Sequence, residues 1–127
     1  MRLPDSAVHA ALDALASGGP DRELGLSTTP ITVAEGGLSG VTEPVAASYD
    51  RVAVPASAWA AAAARAVQCD PVLLPDADED WGVVVAYFLT DGAGVPEIPF
   101  EVADGGINVP AGSTSPFLTP RITFSTL

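Results

Sequence analysis

Asp80-Trp81-Gly82 runs directly into Val83-Val84-Val85-Ala86-Tyr87-Phe88-Leu89-Thr90, and Asp91-Gly92 closes the run. A polar turn with an aromatic anchor thus opens an apolar, β-branched stretch, and a turn dipeptide ends it. β-branched and aromatic side chains fit a pleated, packed surface, so this stretch predicts a buried central strand over 82–90. Trp81 is expected to anchor the start of that strand, with Asp80 capping the turn and Gly82 leaving room for the ring.

The rest of the chain has the punctuation of a β protein. Val8, Ala11, Leu12 and Leu15 fall at helical spacing and predict one N-terminal helix over 5–17, capped by Asp5 or Ser6 and stopped by Gly18-Gly19-Pro20. A helix of about three turns is not stable alone, so its stripe must dock, on its own domain in preference to a neighbouring subunit. From residue 22 the period becomes that of strands: 23–28, 31–33, 51–54, 72–74, 82–90, 98–102, 107–109 and 120–126, separated by Gly- and Pro-rich turns. Residues 34–47 read as a loop. Residues 56–70 contain the alanine run 60–64, for which a short helix and an irregular connection both remain open. Trp59 packs at the core edge in either case.

Twelve Gly and twelve Pro in 127 residues suit short strands and tight turns rather than long helices. The expected fold is therefore mainly β: an antiparallel β-sandwich or small barrel with a short N-terminal α-helix, in one domain spanning 1–127 (helix 5–17, β region 22–127). Its predicted core is Leu24, Leu26, Val52, Val54, Leu73, Val83, Val85, Tyr87, Leu89, Phe100, Ile122 and Phe124.

Charge restricts the partners. The net charge is −11, and all five basic residues are Arg. Nucleic acid and anionic membranes are bound through clustered Lys and Arg, so neither is an expected partner. No segment has the pattern of a signal peptide, and no apolar run reaches the length of a membrane span, so synthesis and retention in the cytoplasm are expected.

The search for chemistry yields little. His9 is the sole histidine, read as a boundary residue of the helix, and Cys69 as a structural thiol. Asp76, Asp78 and Asp80 alternate like the first half of a helix–loop–helix calcium loop. That loop then needs Gly at its sixth position and Glu at its twelfth, where this chain has Trp81 and Tyr87. The acidic stretch is read as a solvated turn, with a looser calcium site as the alternative. Gly36-Gly37 and Gly105-Gly106 lack the Lys-Ser/Thr of a phosphate loop. No catalytic, cofactor or metal residue is assigned, and the chain is expected not to be an enzyme.

Four blocks carry a resemblance. They are Ser48-Tyr49-Asp50-Arg51-Val52-Ala53-Val54, the Asp80-Trp81-Gly82 strand opening, Val109-Pro110-Ala111-Gly112-Ser113, and the tail Arg121-Ile122-Thr123-Phe124-Ser125-Thr126-Leu127. In this order they resemble a family of small virion proteins of tailed bacteriophages, above all of high-GC actinobacterial hosts, called tail fibre-like or head fibre-like. The resemblance covers about residues 24–127, and the Ala-rich, Lys-free composition fits a GC-rich genome. It implies a virion structural protein, with Tyr49, Arg51, Asp80, Trp81 and Gly82 as structural anchors. The chain's brevity favours a capsid decoration or head-fibre protein on the particle exterior over a tail fibre or baseplate-associated part. A carbohydrate- or ligand-binding β module is the further alternative. The expected partners are copies of itself, as a trimer or other small ring, and the major capsid protein or tail proteins, with Arg51, Arg121 and Trp59 available for contacts.

Overall fold

The structure, a computed structural model, describes residues 3–123. It is mainly β, with one α-helix and several antiparallel sheets, none closed into a barrel; the arrangement is β-sandwich-like. The twelve strands are β1 (Arg22–Ser27), β2 (Thr32–Ala34), β3 (Gly37–Ser39), β4 (Val52–Val54), β5 (Ala66–Gln68), β6 (Val72–Leu73), β7 (Gly82–Val84), β8 (Ala86–Thr90), β9 (Pro96–Glu101), β10 (Ile107–Val109), β11 (Phe117–Leu118) and β12 (Arg121–Thr123), preceded by α1 (Asp5–Leu15). The main sheet has the order β4-β1-β8-β9, and the other strands form the two-stranded ladders β2–β3, β5–β12, β6–β11 and β7–β10.

The run 82–90 is not one strand. It breaks at Val85: β7 pairs with β10, whereas β8 lies between β1 and β9 in the main sheet. Val85 itself bridges the two, its N–H donating to Ser27 O (3.0 Å) and its carbonyl accepting from Val102 N (3.0 Å). Changing sheets at a bend is how sandwich corners are built.

β8 is buried from Ala86 through Thr90 without alternation. Tyr87 and Leu89 face the main cluster, with Tyr87 stacked on Phe100 at 4.6 Å between ring centroids. Phe88 points to the opposite face and is fully buried. Its ring lies over Gly25, the cross-strand partner; a Cβ at Gly25 would come within 2.3 Å of the ring, so only glycine fits there.

α1 is shorter than 5–17 and is capped otherwise than expected. Pro4 occupies the N-cap with its carbonyl accepting from Ala7 N and Val8 N, and no side chain caps the end. The buried stripe is Val8, Leu12 and Ala16; Ala11 and Leu15 face out. It docks on its own domain. His9 Nε2 accepts from Arg65 N (3.1 Å), Asp13 Oδ1 accepts from Ala62 N (2.9 Å), and Asp5 pairs with Arg65 (2.7 Å). Arg22, buried in β1, donates from Nε and Nη2 to Leu15 O and from Nη1 to Thr90 O and Glu97 Oε1. A cation at the last helical turn satisfies an orphan carbonyl and complements the helix dipole, so Arg22 ties α1 to the sheet.

The alanine run takes the irregular alternative. After a single 3-10 turn at Ala56–Ala58, the chain forms an open hairpin in which Trp59 faces Cys69, and Ala64 and Arg65 adopt positive φ (50° and 61°) at its tip. Helix propensity loses here because the segment's N–H groups already have partners in Gln68, Asp13 and His9. The expected loop 34–47 is corrected too, since Gly37–Ser39 pairs with Thr32–Ala34 as a hairpin that packs against β9.

One cluster joins α1, the main sheet and the ladders, from Val8 to Val109. Of the predicted core, Leu24, Leu26, Val54, Tyr87 and Leu89 are buried, and Val52, Val85, Phe100 and Ile122 are half-buried. Leu73 (61% exposed) and Val83 (48%) point outward instead, because Val72, Leu74 and Val84 beside them take the inward positions. Phe124 lies outside the described residues.

Candidate interaction surface

The blocks at 48–54, 80–82 and 109–113 meet in space. Trp81 is buried, and its indole Nε1–H donates to Ser48 Oγ (3.0 Å). Ser48 Oγ in turn donates to Glu79 Oε2 and accepts from Asp78 N. Tyr49 packs edge-on against Trp81 at 5.5 Å. Trp81 N–H donates to Val109 O (2.9 Å), and Asp80 Oδ1 accepts from Ala111 N (2.7 Å). Asp80 therefore caps the 110–112 turn rather than its own. Gly82 is not there to leave room for the ring, because nothing but a Thr28 methyl at 3.9 Å approaches its Cβ position. Its φ of +86° is what requires glycine.

Tyr49 and Arg51 form the second half of this node. Leu26 N–H donates to Tyr49 Oη (2.9 Å), and Tyr49 Oη–H donates to Glu43 Oε1 (2.7 Å). Arg51 grips Glu43 with Nε and Nη2, both at 3.0 Å, donates Nη1 to Gly94 O, and lies 5.2 Å from the Phe88 ring centroid. The guanidinium thus covers the second buried face of β8. Burial pushes the Glu43 carboxyl up, but the hydrogen bonds from Arg51 and Tyr49 and the Arg51 charge outweigh it and hold Glu43 below the ordinary carboxylate range. Burial, and then Glu43, raise the Tyr49 phenol well above its ordinary value. Arg51's guanidinium is engaged within the chain by Glu43 and Gly94 O rather than held out for a neighbouring copy.

Trp59 packs in the core as expected, buried against Cys69, and so offers no ring for the surface contacts also considered for it. Arg121 remains exposed on β12, opposite Gln68. Burial, with Asp70 adding to it, pushes the Cys69 thiol up to about 11, which keeps it protonated and unreactive at neutral pH. Three of the four carboxylates of the acidic turn hold loops. Asp76 Oδ1 accepts from Ser115 N and Oγ, Glu79 from Ser48, and Asp80 from Ala111. Among the described residues no group of three or more His, Cys, Asp or Glu could hold a metal ion, and no helix is long and apolar enough to cross a membrane.

What the sequence reading missed is the outer surface. Two apolar grooves open beside the Val85–Val102 crossing, and Val102 lines both. One, of about 550 Å³, lies between the β2–β3 hairpin and β9, lined by Ile31, Val33, Val85 and Phe100. The other, of about 350 Å³, lies between β10 and β11. Exposed Ile107 and Phe117 on those short strands gave no signal in sequence, because a two- or three-residue strand is too brief to reveal which side faces in. No protein-family model, no curated protein and no solved structure matches this chain.

Proposed function

We propose that this chain is a non-enzymatic structural protein of a tailed-bacteriophage virion, a capsid decoration or head-fibre protein on the outside of the particle. The observation that carries the reading is the meeting of the resemblance blocks. Ser48, Tyr49, Trp81, Asp80, Val109 and Ala111 are far apart in sequence yet bond to one another in a single node. Blocks that jointly build one node around the buried Trp81 and Val109 act through the fold they specify, as in a protein whose work is to hold a shape and bind neighbours. Its mechanism is burial of apolar surface and pairing of strand edges without bond making. It works as a homo-oligomer, a trimer or other small ring, against the major capsid protein or tail proteins, with its carboxylates toward solvent and exposed Arg121 at a contact rim.

A sugar-binding module would set aromatic faces outward over a sheet. Here Trp59, Trp81 and Tyr87 are buried, and the one large exposed aromatic among the described residues, Phe117, lies on a two-residue strand rather than over a broad sheet face, which favours the assembly reading. The test is labelled antibody or cryo-microscopy on intact particles from the host that makes the chain. Density on the capsid lattice is the expected result. Density confined to the tail moves the protein to the tail fibre or baseplate, and absence from the particle overturns the virion reading.

A further inference from the structure

The groove between β10 and β11 has a floor of buried core residues, Leu26, Leu74, Val84 and Val109, and a rim that includes Ile107 (50% exposed) and Phe117 (64%). Apolar core is thus reachable from solvent at this point. None of the described residues lining the groove is charged. Carboxylates stand just outside it. Asp76 is held by Ser115 of the groove wall, and Asp104 sits in the turn Ala103–Gly105 that links Val102 to Ile107, two other lining residues. β10 and β11 each belong to a ladder of only two strands, so each has an outer edge with no strand on it among the described residues.

Basic charge to match those carboxylates is scarce within the chain. Of the four described arginines, Arg22, Arg51 and Arg65 are in internal ion pairs, and there is no lysine. A second copy at net charge −11 would bring more carboxylates to the rim. We infer that the groove receives an extended, apolar segment of a different protein with Lys or Arg at its ends. The apolar side chains enter between Ile107 and Phe117, the flanking cations meet Asp76 and Asp104, and the segment lies along an open strand edge. The inference rests on reading the chain as a binding component of an assembly, and it names the chemistry of the partner's contact.

The probe is a short synthetic peptide of alternating valine and leucine with a lysine at each end, titrated into the full chain by calorimetry with NMR mapping. The expected result is saturable binding that shifts the resonances of Ile107, Val109 and Leu118. Phe117→Ser should weaken it by roughly tenfold or more, as loss of an aromatic anchor that the bound segment covers does. Asp76→Asn with Asp104→Asn, or glutamates in place of the peptide's lysines, should weaken it too, while Val33→Ser, on the β2–β3 hairpin, leaves it unchanged. Because Phe117 is exposed in a two-residue strand, its variant should fold; Ile107→Ser is the second variant if melting shows that it does not. Absence of saturable binding, or binding that neither variant weakens, overturns the inference. So does a concentration-dependent dimer that Phe117→Ser dissolves, which would make a second copy the occupant. These outcomes leave the particle-localisation test untouched, so the two readings fail separately.

Discussion

The main sheet and the β6–β11 and β7–β10 ladders treat apolar residues in opposite ways. β8 is buried on both faces, and β1 at all positions but Glu23, with the main cluster under Leu24, Leu26, Tyr87 and Leu89 and the Arg51 guanidinium over Phe88. The ladders bury Val72, Val84 and Val109 but turn Leu73, Val83, Ile107 and Phe117 outward. A two-stranded ladder has too little area to be stable by itself and depends on docking through its inner face. Its outer face is then free for partners. The contrast teaches that stability resides in the sheet and in the node that closes it, while the ladders leave large apolar side chains exposed.

The largest expected effect is at the sheet. Phe88→Ala should lose about 3–5 kcal/mol, as large-to-small aromatic changes in cores do, measured by urea unfolding. A loss within about 0.5 kcal/mol, the range of ordinary surface changes, would mean that the second face of β8 is not a core. Trp81→Ala should cost a similar amount, because it also removes one of the two donors to Ser48 Oγ and the edge contact to Tyr49.

Next comes the node's ion pair. Glu43→Gln should cost about 1–3 kcal/mol at neutral pH, since it removes the charged acceptor for Arg51 and Tyr49. A carboxyl whose folded pKa lies below the unfolded value of 4.5 binds fewer protons when folded. Its contribution is therefore present above that pH and is lost as pH falls through the lower folded value. Thermal melting below pH 4.5 should show a smaller acid-induced drop in Glu43→Gln than in the wild type. Identical acid limbs would remove Glu43 from the account. The limb should not vanish, because Glu79, hydrogen-bonded by Ser48, and Asp91, hydrogen-bonded by Val95 and Ala93 N–H, are also held low.

Gly82→Ala should lose about 1–2 kcal/mol, the cost of placing a Cβ at positive φ, despite the open space beside it. A neutral result would show that the strand opening tolerates another backbone. Smallest of all, Phe117→Ser in the ladder should change stability by no more than about 0.5 kcal/mol.

Much of the fold was legible in the residues, for reasons that can be stated. Asp91-Gly92 reads correctly as a turn because Asp91 Oδ1 bonds two N–H groups of its own loop, at Ala93 and Val95. The α1 stripe is legible through Val8 and Leu12, one helical turn apart. Three things were not. Alternation picks one face of a strand, so Phe88 and Thr90, buried on the second face of β8, escape it. A continuous valine run carries no mark at Val85, where the chain changes sheets because of what Ser27 and Val102 offer it. The alanine run 60–64 has its local preference overruled by Asp13 and His9 from the far end of the chain. The node was largely legible: Ser48, Tyr49, Arg51, Asp80, Trp81 and Gly82 stand out in sequence, but Glu43, which connects Tyr49 to Arg51, does not.

The proposed division between a stabilising node and a partner-binding ladder of a virion protein is tested most directly by carrying Trp81→Ala and Phe117→Ser through melting and through incorporation into particles, side by side. Trp81→Ala should melt far below the wild type. Phe117→Ser should melt with the wild type yet be depleted from purified particles. Normal incorporation of a well-folded Phe117→Ser protein would contradict the account.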